Sequence, residues 1–292
     1  MRDFVYNGES LFNDFGYVIC SVGGASDESY TTEATRSYNH SSLLHGAYRP
    51  FTYSVYEDSI VMDFDIIKNP CVAVSANDAR ISLDESRALK RWLERASAKL
   101  LYFQHVNQDG TIITEDPDSE IDGVRFWGVF TTQEIWVGSL RIGLRLHFES
   151  NAASGFKSEM SYSKTITNVN TESFVITNNS DIDGYIYPLL TVKCLAAGTL
   201  LLRNDYDRAM SGEYRYSIVK NCRANETITF TPKLIVSSSV TTHEIYDDFN
   251  FVYQRIYSPH TDNTAHTHKN ILRSSLPCEF RITFEEQVKV AI

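Results

Sequence analysis

Between Leu140 and Glu149 the chain alternates without a break. Leu140, Ile142, Leu144, Leu146 and Phe148 are apolar, and Arg141, Gly143, Arg145, His147 and Glu149 stand between them. A period of two is that of a strand with one buried face. Residues 60–67 repeat the pattern, with Ile60, Met62, Phe64 and Ile66 on one face and Asp63 and Asp65 on the other. Shorter apolar runs predict strands over 4–6, 15–21, 100–103 and 125–130, the first closed by the turn dipeptide Asn7-Gly8. One segment has the helical period instead. In "SLDESRALKRWLER", Ser82 and Glu85 form a capping-box pattern, and Leu89, Trp92, Leu93 and Ala96 fall on one stripe. Arg87, Lys90, Arg91 and Glu94 lie away from its centre. No second strong helix is available, so this one is expected to pack its stripe on a sheet.

The rhythm changes after "SNAASGFKSE", residues 150–159, which is small and polar. We place the domain boundary there, giving domains 1–152 and 153–292. Beyond it, short strands are predicted over 173–177, 185–192, 199–203, 213–219, 227–230, 234–236 and 278–284, separated by turn signals such as Asn178-Asn179 and Ser211-Gly212. Regular short strands without helices predict a sandwich or barrel. The expected class is therefore mainly β, with one helix in the first domain.

Composition adds bounds. The 292 residues, 42% of them apolar, suffice for a sizeable core, and 12% are aromatic. A formal charge of −10 without any basic block argues against free nucleic acid as a ligand. The opening MRDFVYNGES has no apolar signal core, and no stretch approaches the ~20 apolar residues of a membrane helix. Cys20, Cys71, Cys194, Cys222 and Cys278 are widely spaced without a CxxC, which fits reduced and mostly buried thiols.

Each candidate for chemistry has a plainer alternative. Asp14-Phe15-Gly16 matches the magnesium triplet of protein kinases, but the Gly-rich loop, strand lysine and His-Arg-Asp loop are missing. Gly16 then serves an unusual backbone angle beside a strand. His260, His266 and His268 in "HTDNTAHTH" could share a metal, or lie on a solvated loop. Asp116, Asp118, Glu120 and Asp122 alternate like the start of a calcium loop, yet the sixth-position glycine is absent and Trp127 stands at the twelfth. A solvated acidic loop is the simpler reading. Neither a GxSxG nor a diagnostic Cys–His spacing marks a nucleophile. We expect no enzyme, no cofactor and no metal. Tyr185 with Tyr187, and Tyr214 with Tyr216, are i, i+2 pairs that each share a strand face. Such faces stack on sugars in lectin-like jelly rolls, or form core and subunit contacts.

With this order laid out, the chain resembles the distal tail protein (Dit) family of long-tailed phages and prophages. "FVYNGESLFNDFGYVICS" resembles the family's opening, "SLDESRALKRWLER" followed by "KLLYF" its single first-domain helix and next strand, "FWGVFTTQEIWVGSLRIGLRLHFESNAASGF" the end of its first domain, and "SLPCEFRITFEEQVKV" its closing strand. The resemblance covers most of the chain. "HTDNTAHTHKNILRSS" departs from the family's short turn before the last strand. The resemblance implies a β-sandwich with one helix that builds a homo-hexameric ring at the far end of the tail tube. It further implies a galectin-like, jelly-roll sandwich that projects outward and carries receptor-binding proteins or touches host sugars. The ring would join the tail tube protein above to the tail-tip protein below, with a lumen for DNA. It would sit in the virion tail after assembly in the bacterial cytoplasm, without sequence-specific nucleic-acid binding or membrane insertion. The acidic balance suits a channel along which DNA slides. Arg87, Arg91 and the loop over 104–124 are candidates for the ring interface. A carbohydrate-binding or glycan-degrading sandwich is the competing reading.

Overall fold

The computed structural model describes residues 2–20, 36–41, 51–56, 59–71, 75, 78–113, 123–181, 184–209, 211–258 and 270–290. The acidic run at 116–122 and the histidines 260, 266 and 268 lie outside the described residues. The chain divides into two compact units, residues 1–157 with 289–292, and residues 158–288.

Unit 1 contains β1 (Arg2–Tyr6), β2 (Glu9–Ser10), α1 (Leu11–Phe15), β3 (Tyr17–Cys20), β4 (Arg36–Ser41), β5 (Phe51–Tyr56), β6 (Val61–Lys68), α2 (Leu83–Leu93), β7 (Lys99–Val106), β8 (Ile112–Ile113), β9 (Arg125–Val137), β10 (Leu140–Ser150) and β11 (Gly155–Phe156). β4 and β5 pair antiparallel with each other. The main sheet runs β2-β1-β7-β9-β10-β6-β3, with β8 added beside β7 and β11 beside β9. It curls until β3 approaches β1, so one sheet folds over its own core as a sandwich. The predicted alternation sets that core: Phe4, Phe64, Phe103, Phe130 and Phe148 point inward and are buried. Their rings pack edge-on or tilted at centroid distances of 5.0–6.1 Å, the arrangement the aromatic quadrupole favours.

α2 covers this core. Both halves of the capping box at Ser82 and Glu85 form. Leu89, Trp92 and Leu93 are buried, whereas Ala96 lies beyond the helix end and is exposed. Trp92 stacks on Phe4 at 5.6 Å and on Phe15 at 4.3 Å. Its indole donates to the Tyr6 carbonyl at 2.9 Å.

The Asp14-Phe15-Gly16 triplet closes a five-residue helix that periodicity does not reveal. Ser10 caps α1 by accepting from the Asn13 amide, and Asp14 accepts from the Ser10 amide. Gly16 ends the helix at φ +74° and donates back to Phe12, the left-handed stop that glycine supplies without Cβ strain. The predicted strand at 15–21 thus begins at Tyr17.

Unit 2 contains β12 (Met160–Ile166), β13 (Phe174–Ile176), β14 (Tyr185–Ile186), β15 (Leu189–Cys194), β16 (Gly198–Arg208), β17 (Tyr214–Cys222), β18 (Thr227–Phe230), β19 (Val236–Ser238), α3 (Ile245–Asp248), β20 (Ile256–Tyr257), β21 (Asn270–Ser274), β22 (Cys278–Phe284) and β23 (Gln287–Val288). A five-stranded sheet, β12-β22-β15-β18-β19, faces a four-stranded one, β13-β21-β16-β17. Between them lies an apolar core that includes Ile166, Leu190, Val192, Leu202, Ile228, Phe280 and Ile282. This is the expected second sandwich. The strand predicted over 185–192 is broken around Pro188, which cannot donate to a ladder. The strand predicted from 234 starts at Val236, because Leu234 occupies a hairpin turn at φ +57°.

Candidate binding surfaces

The four sequence-predicted tyrosines sit on unit 2 and gather arginines. Tyr185 lies opposite Tyr257 across β14 and β20, rings 5.4 Å apart, and 5.4 Å from Tyr187. The Arg255 guanidinium rests 4.3 Å from the Tyr185 ring centre. Beneath it, Asp207 is buried and accepts from both guanidinium edges of Arg255, from Arg215 at 3.2 Å and from the Tyr257 hydroxyl at 2.9 Å. A hydrogen bond from Arg255 holds the Tyr185 hydroxyl below its ordinary pKa. Burial, and then Asp207, push Tyr257 up. Two guanidiniums against one carboxylate leave a local positive charge in an acidic chain, under a tyrosine that stays exposed.

Tyr214 and Tyr216 form a separate group on β17, centroids 6.4 Å apart. Arg203 and Arg208 stand over Tyr214 at 4.4 and 4.1 Å, and Arg203 donates to the Tyr216 hydroxyl at 3.1 Å. Each i, i+2 pair therefore does meet. Tyr185 and Tyr214 present ring surface to the protein's own guanidiniums, a cation–π arrangement. The sequence reading missed Asp207, Arg203, Arg208, Arg215 and Arg255, since nothing near the tyrosines in sequence marks Arg255 as their neighbour.

Arg87 and Arg91 both stand exposed on α2, one turn apart. Arg87 meets Asp84 at 3.9 Å between largely exposed groups, a pairing that contributes little. Between them Lys90 reaches Glu134 at 3.1 Å, which also accepts from Ser86.

An apolar patch adds a third surface. Leu234, Ile235, Tyr246 and Phe251 are all exposed. Leu234 and Phe251 are held at φ +57° and +56°, where large side chains are rare. Tyr253 links the patch by donating to the Leu234 carbonyl at 2.6 Å and packing on Phe249, which contacts Phe251. Strained backbone carrying exposed apolar side chains points to contact with another molecule.

Open depressions are found among the described residues. One, of about 540 Å³, lies on the outer face of the five-stranded sheet among Ser163, Thr191, Lys193, Glu279 and Arg281. Another, of about 520 Å³, lies in unit 1 among Phe12, Phe15, Lys68 and Gln108. Among the described residues no group of His, Cys, Asp or Glu could hold a metal ion, and no helix is long and apolar enough to cross a membrane.

Comparison with known proteins places the chain. No curated protein matches it. The fold matches the crystal structure of the SPP1 Dit protein, described as a paradigm of the hub adsorption apparatus in Gram-positive infecting phages. That match has a TM-score of 0.58 and 12% identity, over 98% of this chain and 99% of that one. The phage P2 baseplate in its activated conformation with calcium aligns at a TM-score of 0.41 and 10% identity, over 97% and 98% of the two chains. A family model for a phage tail protein N-terminal domain matches residues 1–152, and one for a phage tail C-terminal domain matches residues 155–284. With both domains of one family matched in order along almost its whole length, the chain belongs to this family of phage tail proteins.

Proposed function

We propose that the protein is the hub of a phage tail: a homo-hexameric ring at the distal end of the tail tube, built by residues 1–152, with residues 153–292 directed outward. The observation that carries this reading is the sharing of one fold, end to end, with a hub adsorption protein. The ring binds the tail tube protein on one side and the tail-tip protein on the other, and DNA passes through its lumen. A cyclic ring needs two different complementary faces on each subunit. Arg87 and Arg91 on the outer face of α2 are candidates for one of them. The patch of Leu234, Ile235, Tyr246 and Phe251 supports attachment of receptor-binding proteins by the second domain. The guanidiniums laid against Tyr185 and Tyr214 favour a protein-contact role for those tyrosines over sugar stacking, although Tyr185 stays exposed enough to test. The reading includes no catalytic step.

Native mass spectrometry over a concentration series, with negative-stain images of the largest species, tests it. A hexamer seen as a six-fold ring is expected. A monomer at every concentration, also with the tail-tip protein present, overturns the hub. Saturable glycan binding that is lost in Tyr185→Ala would move the second domain to the lectin reading.

A further inference from the structure

The two sheets of unit 2 turn unlike faces outward. The solvated face of an antiparallel sheet normally carries polar side chains, and the five-stranded sheet obeys this. Ser163, Arg281, Thr191 and Thr229 stand in one row across its outer face, with Glu279 and Lys193 in the next. The four-stranded sheet does not obey it. Val175 faces outward beside Ile271, and Leu201 beside Ile218. Between these apolar rows, Arg273, Arg203 and Tyr216 lie directly opposite one another on β21, β16 and β17. Val175 is 45% exposed and the others are half-buried. The arginines are held in place. Arg203 and Arg273 both reach Asp205, at 2.9 and 2.7 Å. Arg208, exposed at the hairpin end, shares the Tyr214 ring with Arg203 and donates to the Gly212 carbonyl at 3.0 Å. It pairs with no carboxylate among the described residues. Three guanidiniums thus gather around Asp205, with Glu213 exposed in the hairpin loop as a second acid, in a chain whose formal charge is −10.

Like charges held together repel unless an opposite charge meets them. Arginine and aromatic side chains on an apolar ground are also the composition of an interface core, where lysine, glutamate and serine are depleted. We infer that the outer face of the four-stranded sheet binds a protein partner that presents acidic and apolar side chains together. The partner's carboxylates meet the outward edges of Arg203, Arg208 and Arg273, as Asp205 already does for two of them, in the charge-assisted bonds that guanidinium forms best. Its apolar side chains cover Val175, Ile271, Leu201 and Ile218. A phosphate polymer satisfies the guanidiniums and leaves these apolar rows uncovered. A second copy that meets this face through the same face sets guanidinium against guanidinium. Both occupants fit the face less well than an acidic, partly apolar protein surface.

The test uses the full-length chain and short fluorescent peptides in which leucine alternates with glutamate. Lysine-for-glutamate and serine-for-leucine versions, and inorganic polyphosphate, are the comparisons. Polarisation titrations should show saturable binding of the leucine–glutamate peptide alone, weakening as salt is raised. Arg208→Gln combined with Arg273→Gln should weaken it by about tenfold or more. Arg281→Gln, on the polar face of the other sheet, should leave it unchanged. On the native chain, bound peptide should protect Arg208 and Arg273 from phenylglyoxal, read by peptide mapping, so the result stands even where the double variant fails to fold. Absence of saturable binding, equal binding of the lysine or serine version, or an equal loss in Arg281→Gln overturns the inference. Binding of polyphosphate without the peptide assigns the face to a phosphate polymer, and self-association that the double variant abolishes assigns it to a second copy. Either result overturns it as well. The outcome is separate from the hub reading: a chain that stays monomeric and binds the peptide keeps this inference and loses the ring.

Discussion

Leu234 shows how one residue can work against its own domain. The β18–β19 hairpin closes with the Leu234 amide on Thr231 O and the Thr231 amide on Ile235 O, a turn whose left-handed position normally carries glycine or asparagine. A β-carbon there costs about 1–2 kcal/mol, and Leu234 recovers little through burial because it is exposed. Leu234→Gly is therefore expected to raise the stability of unit 2 by about 1 kcal/mol, less a few tenths for the added unfolded-state freedom, read as a higher urea midpoint at unchanged slope. A lower midpoint would mean that the Leu234 side chain holds its own surface together, and the patch would lose its reading as a contact site. If the gain appears together with loss of a bound tail partner, the strain is maintained for that partner. Gly16 makes the opposite case: it occupies the same backbone region at the end of α1, and there the sequence already supplies the residue that the geometry requires.

Among the elements, the loop that joins β17 to β18 is tied to β19 and α3 by a buried ionic chain. His243 meets Glu226 through Nδ1 and Asp248 through Nε2, the latter at 3.1 Å. Ser238 also donates to Glu226, and Asn221 donates to both Asp248 oxygens at 2.9 Å. Burial pushes the Glu226 carboxyl up, but its hydrogen bonds from Ser238, His243 and the Arg223 amide outweigh this and hold it below the ordinary carboxylate range. Burial pushes His243 down, and Glu226 outweighs it, so the imidazolium is favoured. The two shifts give opposite slopes. Stability from Glu226 is present above the ordinary carboxylate value and lost as pH falls through its depressed folded value. Stability from His243 is present below the ordinary imidazole value and lost as pH rises through its raised folded value. The contribution is then largest between about 4.3 and 6.5 and declines on both sides. Urea unfolding from pH 4 to 9 checks this: His243→Gln should flatten the alkaline decline, and an unchanged profile would remove the chain from the account. None of this was legible in the sequence, since Glu226, Ser238, His243 and Asp248 show no spacing that marks them as partners. Elements with a long, regular period were legible: α2 from its cap and stripe, β10 and β22 from alternation. α1 was not, because five residues hold too little period to see. β21 was hidden for another reason. Its inward positions include Asn270 and Ser274, polar groups satisfied by Asn204, Tyr257 and Leu276, so apolar alternation never appears. The tyrosine pairs were visible as pairs, but Arg255 comes to Tyr185 from 70 residues away in the chain, and Arg203 and Arg208 come to Tyr214 across the β16–β17 hairpin, whose register no spacing marks.

At the scale of the whole molecule, the chain holds two cores of different make. Unit 1 is filled by packed aromatic rings around Trp92 and Phe130, and unit 2 by a largely aliphatic layer between two sheets. Each core is drawn from its own unit, so heating should give two transitions rather than one. Phe130→Ala removes a ring that touches Phe4, Tyr6, Phe64 and Phe148, and it should lower only the unit 1 transition, by about 3–5 kcal/mol. Ile228→Ala, in the unit 2 core, should lower only the other, by about 2–5 kcal/mol. Differential scanning calorimetry of the two variants and the parent decides this, and a single transition that both variants shift together would rule out separate cores. The same scans test the ring by a second route. A subunit contact that exists only in the folded state stabilises it by mass action. If residues 1–152 build the hexamer, the transition that Phe130→Ala lowers should rise with protein concentration, while the one that Ile228→Ala lowers should stay fixed. A concentration dependence confined to the unit 2 transition would place self-association on the second sandwich and remove the assignment of the ring to the first.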